Sequence, residues 1–291
     1  MKLKSAAKIN LSLDVTGKLE NGYHTIESFF QTVGIYDIID IKLTEGNEIK
    51  LTCSKPYIPC NEKNIAYKAV LLFKESYGKD FGCKIDIRKN IPSQAGMGGG
   101  SSDGAAVLFA LNKLLETNYS FEKMVEIGAK LGADVPFFLM GGTAYAEGIG
   151  EKLKKAPDYS GRLMLIAKGH EGVSTAEAYR VIDSLENPQH PQTEKLAQAL
   201  ENGGDDAYKY FGNLFEYACN LETVRKIKTL MSENGAKNPI MTGSGSAVFG
   251  LFDNDSDAIK CCDILRAEGY YAKICRTVKK SGSYIHQIEG I

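Results

Sequence analysis

Ile9, Leu11, Leu13 and Val15 alternate with polar neighbours, and residues 35–43 are rich in isoleucine, so residues 4–53 read as a β-rich opening. Within it, Asn21-Gly22 is a dipeptide that turns a chain back on itself, which sets Tyr23 and His24 beside a turn. Ile65, Ala69, Leu72 and Phe73 recur at helical spacing over 64–76, and residues 83–91 alternate again as a strand before Pro92. Ala105, Ala106, Leu108, Leu111 and Leu115 mark the inner face of a helix over 101–115. A further helix over 121–131 is expected behind the cap residue Ser120.

Glycines over 141–150 suggest a strand with close backbone approach, and 157–161 reads as a linker. Beyond it the pattern predicts strands at 163–167, 247–252 and 271–275 and helices over 175–185, 194–201, 221–234 and 257–268. This mixture implies an α+β protein of two domains, 1–157 and 158–291, and a chain of 291 residues is long enough for two cores.

Composition narrows the function classes. Hydrophobic residues at 43% and charged residues at 24% describe a globular chain rather than a disordered or fibrous one. A net charge of -1 gives no general footprint for nucleic acid or anionic membrane, so an anionic ligand needs a local site. The N-terminus lacks a signal-like apolar core, and no stretch approaches the ~20 apolar residues of a membrane span. Seven cysteines without CxxC spacing suit free thiols in a reducing cytoplasm. His170, His190 and His286 are scattered, which indicates no dedicated metal site. Lys152-Leu153-Lys154-Lys155 reads as a solvated face, and no partner protein is inferable.

The candidate chemistry lies at 96–102, where four glycines and two serines separate a strand from a helix. Without side chains, backbone N–H groups close on an anion, and the helix dipole adds a positive end. The segment lacks the lysine of a GxxxxGK[ST] loop and the acidic residue that follows a dinucleotide-binding GxGxxG. A free glycine linker would not be hemmed in by a strand, a proline and an apolar helix.

Ile91-Pro92-Ser93-Gln94-Ala95-Gly96-Met97-Gly98-Gly99-Gly100-Ser101-Ser102-Asp103 resembles the phosphate-loop signature of the GHMP kinases. Two further segments resemble the first and third motifs of that family: Ala7-Lys8-Ile9-Asn10-Leu11 with Gly22-Tyr23-His24, and Met241-Thr242-Gly243-Ser244-Gly245-Ser246. Where the third motif often has proline, this chain has Ser246. The resemblance implies an N-terminal domain like domain 2 of ribosomal protein S5, a ferredoxin-like C-terminal domain, and an active site in the cleft between them.

It also implies ATP with Mg²⁺ as phosphoryl donor and a small-molecule alcohol as acceptor. Lys8-Ile9-Asn10, Gly22-Tyr23-His24, Gly132-Ala133-Asp134-Val135-Pro136 and Gly172-Val173-Ser174-Thr175 together resemble the members that act on the 2-hydroxyl of a cytidine-diphosphate-linked polyol, in the non-mevalonate route to isoprenoid precursors.

The resemblance assigns Asp134 as base and Lys8 as the cation that orients it and stabilises developing charge. Ser101 and Ser102 are candidates for the phosphates and Mg²⁺, beside a capping role. Asn64 is a candidate for the adenine end, beside its role as N-cap. Tyr23, His24 and Tyr179 are candidates for the cytosine and Asn10 for the polyol. Taken singly, a strand lysine is ordinarily exposed, Asp134 before Val135-Pro136 is ordinarily a cap, and Tyr179 is an ordinary half-buried helix aromatic. The competing readings are a homoserine- or mevalonate-type kinase of the same family, and a non-catalytic nucleotide-binding protein on the same fold.

Overall fold

The computed structural model describes residues 1–279 and a two-residue strand at 286–287. Two long strands, β1 (Lys2–Lys18) and β2 (His24–Thr44), pair antiparallel, and the chain reverses between them through Gly22 at φ +84. There follow β3 (Ile49–Cys53), α1 (Ile65–Tyr77), β4 (Gly82–Arg88), α2 (Gly99–Leu114), α3 (Phe121–Leu131), α4 (Val135–Met140), β5 (Thr143–Glu147) and β6 (Lys152–Lys155). The second half contains β7 (Leu163–Lys168), α5 (Thr175–Ile182), α6 (Thr193–Glu201), β8 (Gly212–Asn213), α7 (Glu222–Glu233), β9 (Lys237–Met241), β10 (Val248–Leu251), α8 (Asp255–Ala267), β11 (Tyr271–Arg276) and β12 (His286–Gln287).

The first sheet has the order β12-β1-β2-β4-β3, with β5 and β6 extending from β2 and β8 running parallel to β1. The second is antiparallel in the order β11-β7-β10-β9. The architecture is therefore α+β. β6 closes the first sheet's run at Lys155 and β7 opens the second at Leu163, while β8 and β12 return to pair with β1. The intervening segment is no free tether: Tyr159 is buried and its N–H donates to Thr143 Oγ1 at 3.0 Å.

β1 is buried on both faces, which is why its pattern matters to the site. Ala7, Ile9 and Leu11 share a core with Met164 and Ile166 of β7 and with Phe249 of β10, so this face meets the second sheet. Lys8 and Asn10 point the other way. A register shift between Asn10 and Ser12 then moves Leu13 and Val15 into the other core, so alternation that reads as one stripe serves two faces.

Several elements depart from the sequence reading. α2 begins at Gly99 rather than 101 because its first turn is pressed against neighbours: a Cβ at Gly99 would meet Ile91 Cγ2 at 3.1 Å, and one at Gly100 would meet Ile65 Cδ1 at 3.4 Å. α4 has six residues, too few to display a period. β6 is the exposed, lysine-rich strand that reads as a charged face, and β9 is an edge strand that tolerates Pro239. Among the described residues no helix is long and apolar enough to cross a membrane.

The start of α2 is tied down from below. Lys89 Nζ donates to Asp37 and, at 2.7 Å, to Asp103 Oδ2, while Ser5 Oγ donates to Asp103 Oδ1 at 2.8 Å. Burial pushes the Asp103 carboxyl above the usual range. Ser102 belongs to this anchoring rather than to a phosphate site: its hydroxyl is fully buried and donates to Ala6 O at 2.6 Å. Replacing Ser102 with Ala removes this buried hydrogen bond and is expected to lower unfolding free energy by about 1–3 kcal/mol in urea titrations, with the KM for ATP nearly unchanged.

Candidate active site

Two cavities meet at the glycine loop. The first, of about 370 Å³, is lined by 91–100 together with Ile58, Pro59, Lys63, Asn64, Ile65, Lys89 and Asp103. The second, of about 330 Å³, is lined by Lys8, Asn10, Leu13, Asp134, Val173, Thr175, Tyr179, Phe215 and 243–245, among others. Gln94, Gly96 and Gly98 belong to both, so the loop is the sill between them.

Backbone geometry makes this sill. Gln94, Gly96 and Gly98 all have positive φ, at 51, 69 and 67. A Cβ on Gly96 would stand 2.1 Å from Thr242 O, and one on Gly243 would stand 2.7 Å from Gly96 Cα. The two glycine turns, far apart in sequence, therefore touch backbone to backbone, which only glycine permits. Lys8 N–H donates to Met97 O at 3.1 Å and fastens the loop to β1, while the Ala95 and Met97 side chains are buried beneath.

Lys8 is 5% exposed. Its Nζ donates to Asn10 Oδ1 at 2.7 Å, lies 4.7 Å from the centre of the Phe30 ring and stands 4.0 Å from Asp134 Oδ2. Burial lowers the Lys8 pKa below the ordinary lysine value, and the Asp134 carboxylate opposes that shift. Asp134 occupies the N-cap position of α4 but makes no side-chain cap bond, and its side chain is 35% exposed on the cavity. A cap residue that does not cap is free for other work.

Asn10 does more than line the second cavity. Its Oδ1 accepts from Lys8 Nζ and, at 3.1 Å, from Gly243 N–H, and its Nδ2 donates to Ser28 Oγ at 2.8 Å. Asn10 thereby holds Lys8 and the Gly243 turn while also lining the second cavity. Asn213, with no recognisable signal in the sequence, adds bonds to Met241 O and Gly243 O at 2.7 and 2.9 Å. Asn64 does cap α1, accepting from Ala66 N–H at 2.9 Å, and also lines the first cavity. Ser101 lines neither cavity.

Tyr179 and Phe215 line the second cavity and meet edge-on at 4.9 Å, while His24, outside the lining of both cavities, stacks on Tyr179 with centroids 4.3 Å apart and planes 11° apart. Tyr23 is 61% exposed at the hairpin tip and lines neither cavity. Thr175 Oγ1 and Ser244 Oγ lie 2.7 Å apart at the cavity wall, and Ser246 donates to Glu171 O at 2.6 Å, a bond that proline would lack. Leu13, Phe30 and Phe215 complete the wall; in the sequence they are indistinguishable from core residues. Among the described residues no group of three His, Cys, Asp or Glu is placed to hold a metal, and the His286 side chain lies outside those residues.

A glycine sill at a helix start, a buried lysine and a free carboxylate define a small-molecule phosphotransferase of the GHMP class, and family models agree. Residues 64–142 match the GHMP kinases N-terminal domain and 185–271 the GHMP kinases C-terminal model. A 4-diphosphocytidyl-2-C-methyl-D-erythritol kinase of Caldicellulosiruptor bescii is 44% identical over 97% of this chain and 99% of its own.

Among solved structures, a 4-(cytidine 5'-diphospho)-2C-methyl-D-erythritol kinase matches with a TM-score of 0.80 at 32% identity, covering 95% of this chain and 99% of that one. The homoserine kinase of Cytophaga hutchinsonii matches with a TM-score of 0.76 over 96% of this chain and 94% of its own, but at 17% identity it shares the fold alone. The chain belongs to the 4-diphosphocytidyl-2-C-methyl-D-erythritol kinase family within the GHMP kinases, whose members use ATP.

The lowered Lys8 pKa has a consequence in the free enzyme. Activity that needs the ammonium is lost as pH rises through that pKa, so kcat/KM should fall on the alkaline side earlier than an ordinary lysine, near ~10.4, would allow. A pH profile of kcat/KM for ATP, corrected for unfolding, checks this.

Proposed function

We propose that the chain transfers the γ-phosphoryl group of ATP to the 2-hydroxyl of 4-diphosphocytidyl-2-C-methyl-D-erythritol, in the non-mevalonate pathway to isoprenoid precursors. The observation that carries the reading is the buried Lys8 ammonium, 4.0 Å from a carboxylate that caps nothing, beside a sill that two cavities share. The first cavity takes the nucleotide, with Asn64 toward the adenine end and backbone from Pro92 to Gly100 around the phosphates. The second takes the acceptor, with its cytidine end toward His24 and Tyr179.

In this arrangement Asp134 accepts the proton of the acceptor hydroxyl as its oxygen bonds to the γ-phosphorus. The bond from that phosphorus to the β,γ-bridging oxygen breaks, and ADP leaves with the electron pair. Lys8, held by Asn10, faces the charge that builds on the transferred group. Protein oxygens that would be open to Mg²⁺ at the sill are few: the Asp134 carboxylate lines the second cavity, while the Asp103 carboxylate at the first is taken up by Lys89 and Ser5, which suits an ion carried in largely by the nucleotide's phosphates. Mg²⁺ neutralises phosphate charge when bound.

We place the division between the N-terminal domain, 1–157, and the C-terminal domain, 158–291, in the segment between β6 and β7. The seven free cysteines support a reducing, cytoplasmic setting.

ADP release with Mg-ATP and three acceptors tests the reading: turnover is expected with 4-diphosphocytidyl-2-C-methyl-D-erythritol and not with homoserine or mevalonate. The reverse pattern would overturn it. Asp134→Ala should reduce kcat by roughly 10²–10⁴-fold while the Kd for an ATP analogue changes little, measured by steady-state kinetics and calorimetry.

A further inference from the structure

Asp183 ends α5, where a carboxylate is electrostatically misplaced: the last carbonyls of a helix carry partial negative charge and favour cations. Its partners come instead from the hairpin of the other sheet. Lys18 Nζ donates to Asp183 Oδ2, and His24 Nε2 lies 2.7 Å from Asp183 Oδ1, across separations of 165 and 159 residues. Lys18 and His24 pair with each other across β1 and β2, so one carboxylate grips both strands at the tip. The Lys18 hydrogen bond, then that of His24, holds the Asp183 carboxyl below the usual range.

The grip has a chemical effect on His24. Its side chain is 8% exposed and lies flat against Tyr179, four residues before Asp183 on the same helix. An acceptor at Nε2 keeps the proton there in the neutral ring and leaves Nδ1 as an acceptor. An acceptor nitrogen complements the exocyclic amine of cytosine, whereas the same position in uracil is a carbonyl oxygen.

We propose that Asp183 is a positioning residue for base recognition: by binding Lys18 and His24 Nε2 together it clamps the β1–β2 hairpin to α5 and fixes the His24 tautomer that selects a cytosine-type edge. This rests on the cytidine reading of the second cavity. Lys18 contributes to the clamp but not to the tautomer, so the two can be separated.

The test compares Asp183→Ala, Asp183→Asn and Lys18→Met with the unsubstituted enzyme. Asp183→Ala should raise the KM for the cytidine-linked acceptor about tenfold while kcat and the KM for ATP stay within about twofold. Asp183→Asn, which keeps an oxygen acceptor, should recover part of the loss, and in a His24→Ala background Asp183→Ala should add little. Nitrogen-15 spectra of His24 above its titration range should show the Nε2–H tautomer in the unsubstituted enzyme and in Lys18→Met, and a shift toward Nδ1–H in Asp183→Ala.

An unchanged tautomer, a parallel rise in both KM values, or full additivity with His24→Ala would overturn the proposal. If the unsubstituted enzyme does not use the cytidine acceptor, the functional reading fails, and the spectra still decide whether Asp183 holds His24.

Discussion

The rest of the site depends on taking one ammonium out of water. Burying a lone charge costs several kcal/mol, and Lys8 meets that cost with a single amide oxygen, an aromatic face and a carboxylate at a distance. The carboxylate at 4.0 Å is too far for a tight pair. A tight ion pair would neutralise the cation, whereas this spacing leaves it under-compensated beside the second cavity. Its lowered pKa expresses the same condition.

Asn10 is how a single strand supplies this. One oxygen takes the Lys8 ammonium and the Gly243 N–H together, and the Asn10 N–H donates to Thr242 Oγ1 at 2.9 Å. The strand that bears the cation therefore also seats the turn of the second sheet, which presses on Gly96 of the phosphate loop. Lysine, glycine loop and the wall of the second cavity are set by one small group of contacts around residues with no Cβ. The absent Cβ atoms are the reason the approach is possible: a 2.1 Å gap to Thr242 O admits no side chain at Gly96.

Much of this was legible from the sequence for definite reasons. Glycines between a strand and a helix announce a backbone anion site, and periodicity placed α1 and α3 nearly to the residue. Lys8 and Asp134 were singled out only through resemblance, because a strand lysine and an aspartate before a proline carry no local sign of function; the structure brings them to 4.0 Å. The side-chain direction of Ser102 was not legible: helical phase puts it under the loop, where its hydroxyl meets the Ala6 carbonyl of β1. Asn10 was singled out through the resemblance as a candidate for the polyol, whereas its contact with a turn 233 positions away had no sign in the sequence. Asp183 gave no motif at all, and its position at a helix C-terminus becomes meaningful only with Lys18 and His24 beside it.

The central claim is that Lys8 acts on the transferred phosphoryl group rather than on nucleotide binding. Rapid-quench measurement of a single turnover in Lys8→Met, with the Kd for a non-hydrolysable ATP analogue measured on the same protein, tests it most directly. The account predicts a transfer step slowed by at least about 10²-fold with analogue affinity changed only a few-fold. Transfer near the unsubstituted rate, or a loss confined to nucleotide affinity, would contradict it.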